Sequence, residues 1–189
     1  QLPPTVKSQE AERKGLSKTL MEKAIGRHER INLLKTQYRM NEIIMGFSNE
    51  KFYEGRLHAD ANVAHWQIGD EQVFEFIDTA GCGFEEKEGP ENESRCNPEE
   101  VTIVRKHYEL LRTKLDPSHT IGIISPYRAQ VEMLQEEFRN IPQITVNTID
   151  SFQGQERDVI YISMVRSNDK GEIGFLKDYR RMNVAMTRA

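Results

Sequence analysis

Short apolar runs alternate with helical patterns in the second half of the chain, and this alternation restricts the possible folds more than any other feature. The runs at 121–124 (IGII), 144–149 (ITVNTI) and 158–164 (DVIYISM) predict strands. Strands that alternate with helices are typical of βαβ units, which form a parallel sheet through right-handed crossovers. We therefore expect an α/β fold in which ligands bind beyond the carboxyl ends of the strands.

The helices near these strands have recognisable beginnings and apolar faces. Asn97-Pro98 starts a helix, because asparagine accepts from the first free amides, proline suits the first turn, and Glu100 can reach back to the cap. Ser125-Pro126 is expected to cap the next helix, and a last helix is expected from about Asp178 to the end. The first two helices have apolar faces that consist of Val101, Val104, Tyr108, Leu111 and Leu115, and of Tyr127, Val131, Leu134 and Phe138.

The first half of the chain has weaker patterns. Residues 9–27 have apolar residues about four apart and predict either an amphipathic helix or a linker. Residues 41–52 predict a helix that ends near Gly55, and the alternating sequence VFEFI at 73–77 predicts a strand. The stretch 81–97 is rich in glutamate and glycine, and we interpret it as a mobile surface loop.

Composition excludes several classes of protein. The length of 189 residues suits one α/β domain, and the net charge of -4 excludes a globally basic nucleic-acid coat, though not a local basic groove. Cys82, Cys96 and the scattered histidines lack the spacing of a disulfide scaffold or a metal site, so no metal is expected. No apolar run could cross a membrane and no signal peptide is present, so we expect a cytoplasmic or nuclear protein without a membrane partner.

The chain lacks the Walker A loop, GxxxxGKS or GxxxxGKT, whose amides and lysine cradle phosphates. The DTAG sequence at 78–81 resembles the magnesium-side motif of small GTPases, which would suggest a self-contained nucleotide-binding regulator. Without a phosphate loop before it, DTAG is better interpreted as an ordinary transition from strand to loop. The sequence therefore does not predict a complete nucleotide-hydrolysing site within this chain.

Five further segments occur in a characteristic order: QLPP at 1–4, QYRM at 37–40, SPYR at 125–128, TIDSFQGQE at 148–156 and RRMNVAMTRA at 180–189. In this order they resemble the second RecA-like domain of superfamily 1 helicases, in the 5′-to-3′ group that includes the up-frameshift RNA helicase and senataxin. The resemblance implies a parallel sheet flanked by helices, in a second motor domain without the Walker A loop. It also implies that residues 1–30 are an interdomain linker and helix, that residues 31–189 are the C-terminal RecA-like domain, and that the chain is part of a longer protein.

The resemblance implies that ATP with Mg²⁺ binds between this domain and an N-terminal RecA-like domain of the same protein. That domain would supply the phosphate loop and the magnesium ligands, while this one supplies arginines that stabilise the negative charge of the γ-phosphate. By motif position, Arg39 and Arg188 are the two arginine fingers. The other positions implied on the nucleotide side are Gln1 at the γ-phosphate, Tyr38 on the adenine, Glu156 on the ribose, Gly154 in the adjoining turn, and Arg181, which could instead pair with a carboxylate.

The same resemblance implies that single-stranded DNA or RNA crosses the other rim of the cleft, held through its backbone. Ser125, Tyr127, Thr148 and Ser151 match the nucleic-acid side of the motifs. Two of them have an alternative interpretation that the sequence leaves open. Tyr127 lies on the apolar face of its helix and could belong to the core, and Thr148 is a common residue in strands.

The function implied is that of the C-terminal motor domain of an ATP-dependent helicase or translocase. Because this chain lacks the phosphate loop, we expect it to be inactive by itself. The alternative is a non-catalytic module that binds nucleic acid or protein and keeps a degenerate helicase fold. The presence of Arg39, Glu156 and Arg188 argues against that alternative, since a degenerate copy has no need for arginines that face phosphate.

Overall fold

The computed structural model describes residue 6 and residues 8–27, 31–89 and 94–189. The N-terminal part contains α1 (Gln9–Arg13), α2 (Leu20–Ile25), β1 (Thr36–Gln37), α3 (Glu42–Tyr53) and β2 (His58–Ala59). It is followed by β3 (Lys87–Glu88), β4 (Arg95–Cys96), α4 (Pro98–Leu111), β5 (Ile121–Ser125), α5 (Arg128–Phe138), β6 (Ile144–Thr148), β7 (Val159–Ile162), a 3₁₀ turn (Gly174–Lys177) and α6 (Tyr179–Met186).

The central sheet has three parallel strands in the order β6-β5-β7. In its register, Ile121 lies opposite both Ile144 and Val159, and Ser125 lies opposite Thr148. The strand predictions for 121–124, 144–149 and 158–164 are confirmed, as is the parallel arrangement. The carboxyl ends of all three strands consequently lie at one edge of the sheet. We call this edge, with the segments that follow each strand, the carboxyl edge.

Helices cover both faces of the sheet, as a RecA-like fold requires. On one face, α4 and α5 pack on β5 and β6 in a core that contains Ile121, Ile123, Leu134 and Phe138. On the other face, Ile124 packs with residues of the loop after β6 and of α6. That second core consists of Ile124, Ile149, Phe152, Val184 and Ala185. Because β5 is buried on both faces, its sequence is a continuous apolar run without polar alternation.

Gly122 is the one β5 residue where the sheet has no room for a side chain. A Cβ atom there would lie 2.6 Å from Cδ1 of Ile160 and 2.7 Å from Cζ of Phe152. We expect Gly122→Ala to lower the free energy of unfolding by about 1–3 kcal/mol, because overpacking forces neighbouring side chains or strands to shift. Urea denaturation of the chain measures this difference. Gly46→Ala is the matched control, since Gly46 lies within α3 with open space around it.

The control substitution should have the opposite sign. Alanine is preferred over glycine inside a helix by about 1 kcal/mol, so Gly46→Ala should leave the stability unchanged or raise it. Equal effects of the two substitutions would contradict the close packing of β5 against Ile160 and Phe152.

The helix beginnings are confirmed in position but differ in detail. Asn97 caps α4 by accepting from the amide of Glu100 at 3.1 Å, with Pro98 in the first turn. The carboxylate of Glu100 does not reach back to the cap; it accepts instead from the hydroxyl of Ser163 at 2.6 Å. The prediction that Ser125-Pro126 caps α5 is wrong, because the cap residue is Tyr127 and it makes no side-chain cap. Helix α6 begins directly after Asp178, close to the predicted start, with Asp178 as its cap, and it ends at Met186, three residues before the predicted end.

The N-terminal region confirms one predicted helix and changes another. Helix α3 ends at Tyr53 and is followed by Glu54, which has a left-handed backbone conformation, so the prediction for 41–52 is confirmed. Residues 9–27 do not form one helix. Two short helices, α1 and α2, are separated by a turn at Gly15 with φ of +85°, and neither has a buried residue. The region is therefore not a single amphipathic helix, and its interpretation as an interdomain linker stays a prediction.

The predicted strand at 73–77 is wrong. The segment has no strand hydrogen bonds, Phe74 and Phe76 are exposed, and the segment lines a cavity of about 1160 Å³ that β7 also lines. The segment is linked to β7 through a side chain of α4. His107 lies 3.1 Å from the carboxylate of Glu75 in the segment and 2.8 Å from the hydroxyl of Tyr161 in β7. An alternating pattern needs a partner strand within hydrogen-bonding distance to become a strand.

The stretch 81–97 is not simply a loop. Strands β3 and β4 form a short antiparallel pair within it, and Cys96 is buried while Cys82 is exposed; both are free thiols. Residues 90–93 lie outside the described residues. None of the helices in the described part of the chain is long and apolar enough to cross a bilayer.

Candidate functional site

Two arginines from distant segments, Arg39 and Arg188, lie at one surface beside the glutamate Glu156. We call these two arginines, together with the carboxylate beside them, the arginine pair. Arg39 lies between β1 and α3, Glu156 follows the loop after β6, and Arg188 follows α6. Nε of Arg39 lies 2.7 Å from the carboxylate of Glu156, and its NH1 donates to the carbonyl oxygen of Thr187 at 3.3 Å. Three of the residues expected on the nucleotide side are thus neighbours in the fold.

Arg188 is held by neutral oxygen atoms. Its Nε donates to the carbonyl of Val184 at 2.9 Å, its NH1 to the carbonyl of Gln155 at 3.2 Å, and its NH2 to the hydroxyl of Thr187 at 3.1 Å. Within the described ranges, no carboxylate forms an ion pair with Arg188. Half-burial lowers the pKa of the Arg188 guanidinium and the charge of Arg39 lowers it further, while Glu156 opposes the shift.

The arginine pair therefore has two positive charges and one negative charge. A guanidinium keeps its proton even when its pKa is lowered, so the excess positive charge persists at neutral pH. Planar guanidinium groups match the oxygens of a phosphate or carboxylate. The surface is consequently suited to an anion with several oxygen atoms.

Gln37 orients the segment that contains Arg39. Its side-chain oxygen Oε1 accepts from the backbone amides of Arg39 and Met40, both at 2.8 Å, and its Nε2 donates to the backbone carbonyl of Met40 at 2.7 Å. These bonds form a tight turn in which the Tyr38 side chain is 71% exposed. A ring with an open face can stack on a planar ligand. Tyr38 is thus accessible, although its predicted contact with adenine remains a prediction.

The loop after β6 brings Glu156 to Arg39. Phe152 is fully buried and anchors this loop in the core, while its amide donates to the carbonyl of Thr148 at 3.0 Å. Gly154 has φ of +86°, a conformation that glycine adopts without strain, and nothing lies near the place of a Cβ atom. This turn leads the backbone into Gln155 and Glu156 with a surface open to a close approach.

Thr148 and Ser151 form a small hydroxyl cluster at the carboxyl edge. Oγ1 of Thr148 donates to Oγ of Ser151 at 3.0 Å and accepts from the Ser151 amide at 3.3 Å. Ser151 is exposed and Thr148 is half-buried. Both hydroxyls are near the surface where a strand of nucleic acid is expected, and their role there stays a prediction.

Ser125 and Tyr127 differ from the expectation, because both are buried. The fully buried hydroxyl of Ser125 accepts weakly from the Tyr127 amide at 3.4 Å. The Tyr127 ring lies in contact with Phe175, and its hydroxyl accepts from Arg166 at 3.4 Å. In this conformation neither side chain is presented to a ligand, so the structure favours the core role for Tyr127. Their contact with nucleic acid rests on the resemblance alone.

Arg181 contacts Asp150 through an ion pair of 3.1 Å and lies 5.4 Å from the Phe175 ring centre. The structure therefore contains the ion pair with a carboxylate that the sequence left open as an alternative. A contact of Arg181 with nucleotide remains a prediction. Gln1 lies outside the described residues. Among the residues that are described, no cluster of three histidine, cysteine, aspartate or glutamate side chains could hold a metal ion.

Three residues that support the site were missed by the sequence reasoning. They are Gln37, which shapes the turn at Arg39, Thr187, which accepts from both arginines, and Asn183, which accepts a hydrogen bond from Ser48 and ties α6 to α3. All three lie within the QYRM and RRMNVAMTRA segments. Their position within these motifs is a signal that could have identified them. The resemblance instead assigned functional roles to neighbouring residues of the same motifs, such as Arg39 and Arg188.

Comparisons with known proteins support the resemblance. A family model, AAA_12, described as an AAA domain, matches residues 16–189. DNA-binding protein SMUBP-2 of Rattus norvegicus is 39% identical over 202 residues, which cover 100% of this chain and 20% of that protein. DNA polymerase alpha-associated DNA helicase A of Saccharomyces cerevisiae is 39% identical over 213 residues, with 100% of this chain and 31% of that protein covered.

Helicase SEN1 of Saccharomyces cerevisiae is 37% identical over 206 residues, which cover 100% of this chain and 9% of that protein. The chain thus spans no more than about a third of the length of these three relatives. The motif order and the parallel sheet flanked by helices agree with the family model. The chain therefore belongs to the AAA_12 domain family of the up-frameshift-like superfamily 1 helicases.

Proposed function

We propose that this chain is the C-terminal motor domain of an ATP-dependent helicase or translocase. In this role it completes an ATP site between two domains and grips single-stranded DNA or RNA. The observation that carries the proposal is the arginine pair, in which Arg39 contacts the carboxylate of Glu156 and Arg188 lies near enough for both charges to affect its pKa. The domain family is shared with proteins that are named helicases, which supports the same conclusion.

The residues of the arginine pair fit a nucleoside triphosphate. Arg39 and Arg188 would hold phosphate oxygens, the open face of Tyr38 would stack on the base, and the exposed carboxylate of Glu156 would accept from the ribose. Bound ATP supplies a γ-phosphoryl group that water can attack. Arginines placed in advance stabilise the charge on that group without reorganising. The phosphate loop and the magnesium ligands belong, in this proposal, to an N-terminal RecA-like domain.

The carboxyl edge fits a nucleic-acid backbone. Thr148 and Ser151 offer hydroxyl groups there, and hydroxyls and backbone amides bind phosphates and sugars without reading bases. A motor that steps along a strand needs this independence of sequence. The loop 148–156 connects the two surfaces, since it begins at the hydroxyl cluster and ends at Glu156.

The test is an ATPase assay on the parent protein that this proposal implies. We expect hydrolysis that rises on addition of single-stranded DNA or RNA, and no hydrolysis by the 189-residue chain alone, because it has no phosphate loop. Hydrolysis by the isolated chain at the parent's rate would contradict the proposal that two domains together form the ATP site. A parent protein whose hydrolysis rate does not change on addition of nucleic acid would contradict the motor assignment.

A further inference from the structure

Three hydrogen-bond donors after β7 converge on a single carboxylate oxygen. Oε2 of Glu86 accepts from Nε of Arg166 at 2.7 Å, from the backbone amide of Ser167 at 3.1 Å and from Nδ2 of Asn168 at 3.1 Å. We call Arg166, Ser167 and Asn168 the donor cluster. None of these residues, nor Glu86, has a part in the arginine pair.

A donor cluster of this composition is suited to an oxyanion. A guanidinium, a backbone amide and a side-chain amide are the groups that hold phosphate oxygens in nucleic-acid complexes. Here the anion is the chain's own carboxylate. Burial raises the pKa of Glu86, but the hydrogen bonds from Asn168, Arg166 and Ser167 outweigh burial and lower it. Glu86 is consequently charged at neutral pH and acts as an internal anion.

The ion pair between Glu86 and Arg166 is largely withdrawn from water, with side chains 10% and 11% exposed. Removing two charges from water is unfavourable, and such a pair is weak evidence of a purely stabilising role. Two further charges adjoin it at longer distance: Arg95 lies 3.9 Å from Glu86, and Glu172 lies 3.6 Å from Arg166. The surroundings are therefore polar, and the pair is one part of a charged network.

The backbone just before the donor cluster is held by contacts that do not involve Glu86. Val165, which precedes it, is fully buried and has φ of +70°, a strained conformation for a β-branched residue. Its amide donates to both oxygens of Glu100, at 2.9 and 3.0 Å, and its carbonyl accepts from Asn97 at 3.4 Å. These contacts with α4 hold the backbone at the start of the donor cluster, and the Arg166 side chain has further partners in Tyr127 and Glu172.

The donor cluster lies at the carboxyl edge, where the proposed strand of nucleic acid crosses. Arg166 donates to the hydroxyl of Tyr127, which follows β5, so the cluster adjoins the middle of this edge. The backbone of Gly174 packs closely against the same two side chains, because a Cβ there would lie 2.5 Å from both Arg166 and the Tyr127 hydroxyl. The cluster also borders the cavity beside β7, which gives an anion a route of entry.

Glu86 lies at the end of residues 81–86, which we call the arm, directly before β3. Gly81 and Gly83 precede it with φ of +77° and +72°, and nothing lies near the place of a Cβ atom on either. Glycines in open space can change backbone conformation at little cost. The amide of Glu86 donates to the carbonyl of Ser167 at 3.2 Å. Beyond Glu86 the chain is held by the pairing of β3 with β4 and by the ion pair of Lys87 with Glu99 at 3.1 Å. The carboxylate would therefore leave through a change in its own side chain and in residues 81–86.

We propose that the donor cluster is a binding site for a backbone phosphate of single-stranded nucleic acid, and that Glu86 occupies this site as an internal competitor. The strand must displace the carboxylate before Arg166, Ser167 and Asn168 can hold its phosphate. The proposal rests on the proposed function and adds to it a residue that limits affinity. While Glu86 occupies the site, the domain therefore binds single-stranded nucleic acid with lower affinity.

The experiment compares Glu86→Gln with Glu85→Gln in the parent protein without ATP. Both variants remove one negative charge from the same arm, but Glu85 is exposed and lies outside the donor cluster. Binding of labelled oligo-dT and oligo-rU is measured by fluorescence anisotropy. We expect Glu86→Gln to bind about tenfold more tightly than the wild type, since a neutral amide competes poorly with phosphate for charged donors. Glu85→Gln should change affinity less than about twofold, as expected for an exposed charge.

A second variant pair tests whether the gain passes through Arg166. In the Glu86→Gln background, Arg166→Ala should remove the gain and reduce the slope of log K against log salt by about 0.7, the value for one phosphate contact with a single strand. A structural role of the ion pair would lower thermal stability without raising affinity. If Glu86→Gln does not fold, Glu86→Asp shortens the carboxylate by one methylene and should give a smaller gain.

The outcomes separate this inference from the proposed function. Equal effects of Glu86→Gln and Glu85→Gln, or a gain that survives Arg166→Ala, would overturn the inference while the wild type still binds nucleic acid. A wild-type parent that binds neither oligonucleotide and shows no stimulated ATPase would overturn both. Tighter binding by Glu86→Gln that requires Arg166 would establish the phosphate site and its internal competitor.

Discussion

Replacing Arg188 with alanine is expected to reduce nucleic-acid-stimulated ATP hydrolysis by the parent protein about 10³-fold or more, the range known for arginine fingers in GTPase systems. Arg188 is half-buried, and its partners among the described residues are neutral oxygens. Its charge is thus left for an anion that the folded domain does not itself supply. Steady-state hydrolysis at saturating nucleic acid measures the effect, and the affinity for the nucleic acid should change little.

Two comparisons make the Arg188 result specific. Arg188→Lys keeps the charge but loses the planar arrangement of donors, so it should recover only a small part of the activity. Arg180→Ala removes a positive charge from α6 at a position that pairs with Glu22 and Asp178, and it should keep most of the activity. Similar losses in Arg180→Ala and Arg188→Ala would mean that general charge, and not the position of Arg188, is responsible.

Replacing Phe152 with alanine is expected to lower the free energy of unfolding by about 3–5 kcal/mol. The ring is fully buried between β5, β7 and α6, where it packs with Ile124, Ile160 and Ala185. Removing it leaves a cavity that the rigid strands cannot close. Urea denaturation of the chain, with the slope of the transition checked for constancy, gives the difference.

Phe76→Ala is the control for Phe152→Ala, because it removes the same side chain from a position that is 71% exposed. It should change the free energy of unfolding by less than about 0.5 kcal/mol. A small effect of Phe152→Ala would contradict the second core. Phe152→Ala should also weaken the contact between Glu156 and Arg39, since Phe152 anchors the loop that carries Glu156.

The central sheet could be predicted from the sequence because each strand carries its own signal. Residues 121–125 are apolar at nearly every position, and burial on both faces requires that pattern. The cap at Asn97 was predictable for a similar reason, since its bond to the Glu100 amide spans only three residues. The family resemblance could also be recognised from the sequence, because the motif segments keep their order along the chain.

Other predictions failed where a local pattern met a tertiary constraint. The alternation at 73–77 is a valid strand signal, but the segment lies across a cavity from β7 and has no partner. The apolar spacing in 9–27 resembles a helical face, yet no core is present there to bury it. Ser125 matches a nucleic-acid position by motif and its hydroxyl is fully buried in the strand, so its contact with nucleic acid stays a prediction that burial does not favour.

The sequence by itself determined the fold class, the strands of the sheet and the family, because periodicity, caps and motif order are properties of neighbouring residues. Only the tertiary structure decided which side chains act together. Arg39 meets Glu156 across 117 residues, and Glu86 meets Arg166 across 80. Contacts over such separations depend on how strands and loops are placed at the carboxyl edge and around the sheet. No local pattern encodes them, so the pairing of charges had to come from the fold.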